Sequence, residues 1–344
     1  MITEPFSLPT ADLAEVLNQS REDLLQILER DIVILGASGF VGSWLTESVV
    51  FARRELGIRG RLVLVNRKST NEQQGFAAGG HAEIHTADIR ETCPEIADGS
   101  IVFFGANPAR ATLNTLQPEV MTEIILKGVQ TLLRRIVMTN CKIVNLSSGA
   151  VYGLMGHLQD CFDESDSEQK DLKLPSSAYH QAKIDAERLF NTQASEGNIV
   201  VHARLFAFLS PKLPLNEHFA AGNFIRDALR GLPIKITGDE RTVRSYQYAT
   251  DLVSSLFAIA ARGHRYRVYN VGSPIPVTIL QLAEKISSLT GVSVSLVREK
   301  NSAKIANIDR YVPCTTRIET ELGLKSHVDL DEAILRTVRW HQTC

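Results

Sequence analysis

The sequence predicts an α/β protein in which a Rossmann-type, doubly wound parallel sheet carries a smaller, mixed α/β substrate domain. Short, almost wholly apolar segments alternate with longer segments of helical periodicity. This alternation is typical of parallel strands that helices cover on both faces. The first apolar segment runs directly into a glycine-rich turn and then a helical pattern, as at the start of a βαβ unit. A chain of 344 residues is also long enough for about two domains.

The elements are predicted in chain order. Residues 11–30 have apolar side chains at helical spacing, so we expect one or two amphipathic helices that pack on the domain behind them, within an N-terminal helical extension over residues 1–30. Strands are predicted at 31–35, 61–65, 83–86, 100–104, 142–147, 199–206 and 267–271. Helices are predicted at 41–56, 119–138, 177–196 and 250–261.

The two predicted domains interleave along the chain. We expect the strand at 267–271 to return to the main sheet, although the residues before it read as loop and short elements. The Rossmann domain is therefore expected to comprise residues 31–206 plus about 246–272. The substrate domain is expected to comprise residues 207–245 plus 273–344.

The composition excludes several classes of protein. The net charge is −2, which gives no basic field for nucleic acid or anionic lipid. No apolar run approaches the ~20 residues that span a bilayer, and the N-terminus lacks the features of a signal peptide. The five cysteines include no CxxC pair, so we expect free thiols and no metal. We therefore expect a cytoplasmic protein with neither a nucleic-acid nor a membrane partner.

The first strand leads into Gly36-Ala-Ser-Gly39-Phe-Val-Gly42. In a strand–turn–helix context the first glycine permits a tight turn, the second lets the backbone approach a pyrophosphate, and the third lets the helix pack on the strand. The anion then binds free N–H groups at the start of the helix. We expect a dinucleotide here, contacted by Gly36, Ser38, Gly39, Phe40, Val41 and Gly42.

Three further segments follow strands of the same predicted sheet. Asp88-Ile89 follows the third strand, where an adenine would lie, and Gly105-Ala106 follows the fourth, beside the cofactor. Asn66-Arg67-Lys68 ends the second strand, where an acidic residue would favour NAD. Alternatively, Asn66-Arg67-Lys68 is an ordinary solvated turn that does not contact the cofactor. We expect Arg67 and Lys68 to bind a 2′-phosphate, which favours NADP over NAD.

A candidate catalytic group combines Ser148, Tyr179 and Lys183. Tyr179 and Lys183 are four residues apart in a predicted helix and so share one face. The lysine ammonium favours the phenolate, which can exchange a proton with a hydroxyl while hydride leaves the same carbon. Ser148 ends a predicted strand and can donate to the same substrate oxygen.

These motifs together resemble the extended short-chain dehydrogenase/reductases, and within them the NAD(P)-dependent nucleotide-sugar epimerase/dehydratase group. The resemblance covers roughly residues 31–342. Besides the glycine turn, it rests on Ser147-Ser148-Gly-Ala-Val-Tyr152-Gly153, Tyr179-His-Gln-Ala-Lys183, Phe224-Ile-Arg-Asp-Ala-Leu-Arg-Gly231, Gly238-Asp239, Arg244-Ser-Tyr-Gln-Tyr-Ala-Thr-Asp251-Leu252, Tyr269-Asn270-Val-Gly272, Glu321-Leu-Gly323 and Trp340.

The resemblance implies roles for individual residues. Ser148, Tyr179 and Lys183 become the catalytic triad and also contact substrate or cofactor, Arg244 binds the nucleotide diphosphate, and Asn270 lies on the substrate side. It also implies a tightly bound NADP or NAD, a nucleotide-diphosphate sugar as substrate, and a homodimer formed through two helices per subunit. Lys212 and His218, in the loop 210–222, are further candidates for contact with the sugar.

Two departures from the family pattern bear on the reaction. The stretch after the sixth strand reads Arg204-Leu-Phe-Ala207 rather than Arg-x-x-Asn, so one substrate contact is missing. The 4,6-dehydratases carry an Asp-Glu pair directly after the catalytic hydroxyl residue, whereas this chain has Gly149-Ala150. Neither side chain can transfer a proton, which argues against 4,6-dehydration.

The sequence therefore predicts an enzyme that epimerises a nucleotide-linked sugar, with a UDP-sugar favoured, at C4 through a 4-keto intermediate. The alternatives are an NAD(P)H-dependent 4-keto reductase of a deoxysugar nucleotide, a dehydratase, and a decarboxylase of a UDP-uronic acid. A non-enzymatic dinucleotide sensor is disfavoured because such chains commonly lack the Tyr/Lys pair.

Overall fold

A computed structural model describes residues 6–106, 116–153, 160–168, 177–217, 219–296 and 308–343. The helices are α1 (Thr10–Gln19), α2 (Arg21–Ile27), α3 (Phe40–Leu56), α4 (Asn71–Ala78), α5 (Pro118–Arg135), α6 (Ala178–Gln193), α7 (Ala220–Leu229), α8 (Ala249–Arg262), α9 (Ile279–Thr290), α10 (Thr316–Leu322) and α11 (Leu330–Thr343). The strands are β1 (Ile32–Leu35), β2 (Leu62–Asn66), β3 (Glu83–Thr86), β4 (Ile101–Phe104), β5 (Lys142–Ser148), β6 (Ile199–Leu205), β7 (Phe208–Leu209), β8 (Ile234–Ile236), β9 (Val243–Arg244), β10 (Gln247–Tyr248), β11 (Val268–Val271), β12 (Val277–Thr278), β13 (Val294–Leu296) and β14 (Arg310–Tyr311).

Seven strands form one parallel sheet in the order β11-β6-β5-β4-β1-β2-β3. The predicted fold class is thus confirmed, and so is the return of the strand at 267–271 to the main sheet. The strand order reverses between β1 and β4, and ligands of open α/β sheets bind outside the carboxyl ends at such a reversal. The boundaries of the two predicted domains remain a prediction.

Apolar layers cover both faces of the sheet. On one face α3 and α8 bury Trp44, Leu45 and Phe257, and on the other α5 and α6 bury Ile125 and Phe190. Strands β1, β2 and β4 are buried along their whole length, which explains why each reads as a continuous apolar run rather than an alternating one.

Two predicted helices extend too far. The helices predicted at 119–138 and 177–196 end at Arg135 and Gln193. The apolar residues Val137 and Met138 prolonged the first pattern, yet both are exposed, Met138 by 91%. Apolar character alone therefore does not mark burial.

The N-terminal segment forms two helices, as its spacing predicts. Leu13 and Leu24 are buried where α1 and α2 pack on α3 and α8. The chain before α1 is held by the buried Glu47 of α3, which accepts hydrogen bonds from the N–H groups of Ser7 and Leu8. No helix in the described ranges is both long enough and apolar enough to cross a membrane.

The remaining elements form small sheets around a separate apolar cluster. The strand pairs are β7 with β10 and β8 with β13, and β9 lies between β12 and β14. Helices α7, α9 and α11 pack against this cluster through residues such as Phe224, Leu282 and Ile334. Strand β14 pairs with β9 in parallel, with Tyr311 opposite Arg244. Tyr311 also lies against Gly149, which directly follows β5 of the main sheet.

A buried histidine makes stability depend on pH. His202 of β6 is fully buried, with Nδ1 3.0 Å from the amide nitrogen of Asn145 and Nε2 2.8 Å from the side-chain oxygen of Asn191. The amide of Asn145 donates to Nδ1, so Nε2 carries the proton and donates to Asn191. Burial lowers the pKa of His202 to about 4 from its ordinary 6.5, which the nearby Glu187 only partly opposes.

The neutral imidazole therefore stabilises the fold above pH 6.5, and this contribution is lost as the pH falls from 6.5 towards 4, because the unfolded chain binds the proton first. The wild-type protein is expected to lose unfolding free energy between pH 7 and pH 5. We expect this loss to be smaller by about 2 kcal/mol in His202→Gln. Urea unfolding at both pH values measures this. The exposed His264→Gln serves as control, and equal pH dependence in wild type and His202→Gln would contradict the assignment.

Candidate active site

The glycine turn between β1 and α3 is too tight for side chains. Gly36 has φ +88°, and a Cβ there would lie 2.5 Å from the carbonyl oxygen of Gly105, while one at Gly42 would lie 2.2 Å from that of Gly36. Gly39, the N-cap of α3, makes no side-chain hydrogen bond, so it does not occupy the N–H groups of the first helical turn. Ser38, Phe40 and Val41 lie in the same turn and in the first residues of α3. Such a turn can cradle a phosphate group.

The end of β2 contains a buried amide without a partner. Asn66 is buried, and neither its side-chain oxygen nor its nitrogen is hydrogen-bonded. An unsatisfied buried amide is costly, and this one lies where the adenosine ribose of a dinucleotide runs in this architecture. Together with the side-chain-free cradle at Gly36, it fits a bound dinucleotide. Arg67 and Lys68, which follow it, are exposed.

The other predicted cofactor residues lie at the same edge of the sheet. Asp88, after β3, accepts two hydrogen bonds from Arg90, at 2.7 and 3.0 Å, which lowers the pKa of its carboxyl, and Arg67 adds a smaller effect in the same direction. Ile89 is buried. Gly105 and Ala106 follow β4 directly, against the turn at Gly36. Among the described residues no cluster of side chains could hold a metal ion.

The structure brings Ser148, Tyr179 and Lys183 together. Ser148 is the last residue of β5, and Tyr179 is the second residue of α6, a helix that Ser177 caps. The phenol of Tyr179 lies near enough to the Ser148 hydroxyl for Ser148 to lower its pKa. The ammonium of Lys183 lies one helical turn on, 5.6 Å from the centre of the Tyr179 ring, and donates to the carbonyl oxygen of Leu146 at 2.7 Å.

Burial sets the protonation of this group. Burial raises the pKa of the Tyr179 phenol, an effect that the nearby Ser148 hydroxyl partly offsets. It lowers the pKa of Lys183 to about 7, which the charge of Glu187 partly offsets. Both shifts follow from the loss of hydration around a charge. A positive charge added beside the phenol would therefore have a large effect on the ionisation of Tyr179.

A buried ion pair holds α6 against the sheet. Glu187 accepts from Arg204 at 2.6 and 3.0 Å and from the hydroxyl of Ser147 at 2.5 Å. The guanidinium of Arg204 also lies 4.8 Å from the centre of the Tyr152 ring. Arg204 thus faces inward, and the pair ties α6 to both β5 and β6 beneath the catalytic side chains.

Two residues expected on the substrate side are engaged elsewhere. Asn270 is fully buried, accepts from the hydroxyl of Tyr152 at 2.6 Å and donates to the carbonyl oxygen of Phe162 at 2.8 Å. These bonds correct the expectation that Asn270 contacts the sugar, because its side-chain oxygen and nitrogen are already bonded to Tyr152 and Phe162 in the interior. Lys212, in a left-handed backbone conformation with φ 64°, pairs with Glu47 at 3.0 Å.

Arg244 is partly exposed at the end of β9. Its guanidinium pairs with Asp309 at 2.6 Å and lies 5.9 Å from the centre of the Tyr311 ring. It is therefore close to the catalytic edge and remains a candidate for the diphosphate. His218 lies outside the described residues.

Sequence reasoning missed Tyr311. A Cβ at Gly149 would lie 2.6 Å from the hydroxyl of Tyr311 and 2.6 Å from the ring of Phe206. The two rings pack 4.5 Å apart. Tyr311 and Phe206 therefore already fill the space beside Ser148 that a side chain at position 149 would occupy. No motif marks Tyr311, and only its place shortly before the family-like Glu321-Leu-Gly323 hints at a role.

Comparisons with known proteins agree with this geometry. The family model described as "NAD dependent epimerase/dehydratase family" matches residues 32–272. UDP-glucuronic acid decarboxylase 1 of Arabidopsis thaliana is 23% identical over 318 residues, covering 89% of this chain and 68% of that protein.

Solved structures resemble the whole fold. UDP-glucose 4-epimerase of Thermotoga maritima, solved with UDP-glucose, superposes with a TM-score of 0.75 at 22% identity, covering 91% of this chain and 99% of that one. The dTDP-glucose 4,6-dehydratase of Streptomyces venezuelae, solved with NAD bound, gives a TM-score of 0.74 at 22% identity, covering 91% and 97%. At this level of identity the likeness establishes the fold.

The buried ion pair allows a direct test. Arg204→Met leaves the charge of Glu187 buried without its cation, and we expect a loss of about 3–5 kcal/mol in the free energy of unfolding. The double variant Arg204→Met/Glu187→Met removes both charges and is expected to recover most of that loss. Urea unfolding of both variants measures the difference. A double variant no more stable than the single one would show that an unpaired charge is not the cause.

Proposed function

This chain belongs to the NAD-dependent epimerase/dehydratase family, and we propose that it interconverts the C4 epimers of a nucleoside-diphosphate sugar through a 4-keto intermediate, with a UDP-sugar as the favoured substrate. The observation that carries the proposal is the grouping of Ser148, Tyr179 and Lys183 beside a Gly149 whose side-chain space is filled by Tyr311 and Phe206. At positions 148, 149, 179 and 183 this arrangement provides one proton-transfer group, Tyr179, and no carboxyl group.

The cofactor would lie along the carboxyl ends of the strands on both sides of the point between β1 and β4 where the strand order reverses. The turn at Gly36 would hold the pyrophosphate, and Asn66 would contact the adenosine ribose. A bound oxidised nicotinamide supplies the hydride acceptor and a positive charge beside the phenol. Retention of the cofactor lets a single molecule of it serve both halves of the reaction.

The side chains perform the proton transfers. Tyr179, as the phenolate favoured by neighbouring positive charge, takes the proton of the 4-hydroxyl as C4 is oxidised. Lys183, held by the carbonyl of Leu146, stays in place to favour that phenolate. Ser148 donates to the same oxygen and orients it. After the keto sugar turns over in the site, the hydride held by the cofactor would return to the opposite face of C4, and Tyr179 returns the proton to the C4 oxygen.

The surroundings of Gly149 favour epimerisation at C4 over elimination. Loss of water or epimerisation at C5 requires a further acid or base beside the sugar. Position 149 cannot supply one, and burial raises the pKa of the Tyr311 phenol that occupies its place, so this phenol stays protonated and cannot act as a base at neutral pH. Oxidation and reduction at C4 need only the triad.

Decarboxylation of a UDP-uronic acid is the second candidate, favoured by the names of relatives such as UDP-glucuronic acid decarboxylase 1. The same triad would oxidise C4. The resulting β-keto acid would lose its carboxyl group as CO2, the C5 carbanion would be protonated, and the hydride held by the cofactor would then reduce the 4-keto group again. The two reactions therefore share their first step and differ in whether the substrate carries a carboxyl group at C5.

The experiment starts with purified protein, without added cofactor, in D2O. Nuclear magnetic resonance follows UDP-glucose, UDP-galactose, their N-acetylamino forms and UDP-glucuronic acid. We expect C4 epimers to form from either direction without deuterium at carbon, and Tyr179→Phe to slow this on the order of 100-fold or more, while mass spectrometry finds the cofactor still bound. Retention of the cofactor in Tyr179→Phe matters as a control, because the phenylalanine ring keeps the packing and lacks only the hydroxyl group that transfers the proton.

Other outcomes contradict C4 epimerisation. Release of CO2 from UDP-glucuronic acid with deuterium at C5 identifies the decarboxylase. Stoichiometric consumption of added NADPH identifies a 4-keto reductase. A Tyr179→Phe variant that turns over substrate near the wild-type rate would contradict the assignment of the catalytic triad.

We propose that the enzyme prefers NADP, because Asn66 replaces an acidic residue and Arg67 and Lys68 follow it. Asn66→Asp combined with Arg67→Ala is expected to shift the preference towards NAD by about 1.5–3 kcal/mol, the scale of a charged hydrogen bond. Calorimetric titration of apoprotein with both cofactors at one ionic strength measures it. Tighter binding of NAD than NADP by wild type would contradict the proposal.

A further inference from the structure

We propose that Asp309 is a competing counter-ion, whose carboxylate pairs with Arg244 and contends for that guanidinium with the diphosphate of a nucleoside-diphosphate ligand. The inference rests on the proposed function, in which the substrate is a nucleoside-diphosphate sugar, and on Arg244 as the residue that binds its diphosphate. It adds a residue, from the segment directly before β14, that sets how tightly such a ligand binds.

Arg244 lies close to the catalytic group. Its guanidinium is 5.9 Å from the centre of the Tyr311 ring, and the two residues are opposite each other where β9 pairs with β14. The Tyr311 hydroxyl lies 2.6 Å from where a Cβ would stand on Gly149, the residue after Ser148. About one tyrosine ring therefore separates the guanidinium from the catalytic serine. In a hexopyranose linked to a diphosphate, one sugar ring likewise separates the 4-hydroxyl from the anomeric phosphate.

Two groups of different kinds hold the guanidinium of Arg244. Nη1 donates to the backbone carbonyl oxygen of Val243 at 2.9 Å, and Nη2 donates to the carboxylate of Asp309 at 2.6 Å. The carbonyl orients the guanidinium and leaves its charge in place, whereas the carboxylate occupies an N–H group and neutralises the charge. Phosphate groups bind arginine through the same N–H groups and the same charge. A diphosphate at Arg244 therefore competes with Asp309.

The carboxylate of Asp309 can turn into water while its backbone stays in place. The carbonyl oxygen of Asp309 accepts the N–H of Val243 at 2.8 Å, which fixes the segment beside β9. The side chains of Arg244 and Asp309 are 27% and 45% exposed, and exposed ion pairs contribute little to stability. Loss of this pair therefore costs little. The pair between Arg204 and Glu187, in contrast, is buried.

Competition and mere orientation predict opposite effects of Asp309→Asn. Asparagine keeps the shape and an oxygen acceptor, but it lacks the charge that neutralises Arg244. If Asp309 competes, a ligand diphosphate no longer has to replace an ion pair, and it binds more tightly. If Asp309 only orients Arg244, the weaker hydrogen bond of asparagine orients it less well, and the ligand binds more weakly. The sign of the change therefore distinguishes the two roles.

The test titrates purified protein, with its cofactor bound, with UDP in a calorimeter at low ionic strength. We expect Asp309→Asn to lower the Kd about fivefold, the upper end of what an exposed ion pair contributes. Salt raised from about 0.05 M to about 0.5 M should narrow the gap, because it screens exposed charges. Arg244→Gln should weaken binding, and in that background Asp309→Asn should change the Kd by less than about twofold, because there is no ion pair left to break.

Asp239→Asn is the matched control. Asp239 pairs with Arg241 at 2.7 Å, three residues before Arg244, so its loss also frees an exposed arginine and changes the net charge equally. We expect it to leave the Kd for UDP unchanged.

Four outcomes overturn the proposal: no binding of UDP by wild type, unchanged or weaker binding by Asp309→Asn, an equal gain in Asp239→Asn, and an equal gain in the Arg244→Gln background. Because UDP carries no sugar, failure to epimerise UDP-sugars would overturn the proposed reaction and leave this titration readable.

Discussion

The parallel register of the main sheet is the constraint on which the site depends. Because all seven strands run in one direction, their carboxyl ends meet along one edge, and residues far apart in sequence end there together. Gly36, Asn66, Gly105 and Ser148 each stand at or just beyond the end of a strand. Antiparallel pairing of any one of these strands would send its residue to the opposite edge.

The sheet alone does not place Tyr179 and Lys183, because both lie on a helix. Glu187 performs that task, since one carboxylate bonds to Ser147 of β5 and to Arg204 of β6. An ion pair at such depth contributes little net stability compared with an apolar packing. Its directional bonds fix the rotation and height of α6, and thereby the distance from Tyr179 to Ser148.

The segments outside the main sheet close the site from the other side. Strand β14 brings Tyr311 against Gly149, and Asp309 of the same segment holds Arg244. Glu47 of α3 binds both the N-terminal segment and Lys212. Arg336 of α11 pairs with Asp12 and Glu15 of α1. The N-terminal helices thus link the helix that follows the glycine turn to the C-terminal helix of the chain.

The sequence by itself determined the parallel sheet, the glycine turn and the Tyr179–Lys183 pair, because each depends on local spacing: continuous apolar runs, a short turn, and one helical turn. Only the tertiary structure decided that Asn270 bonds in the interior, that Lys212 pairs with Glu47 and that Tyr311 lies against Gly149. These contacts join residues 118, 165 and 162 positions apart, through segments with short strands or none. Periodicity reports which face of an element is buried, and it carries no information on which distant segment packs there.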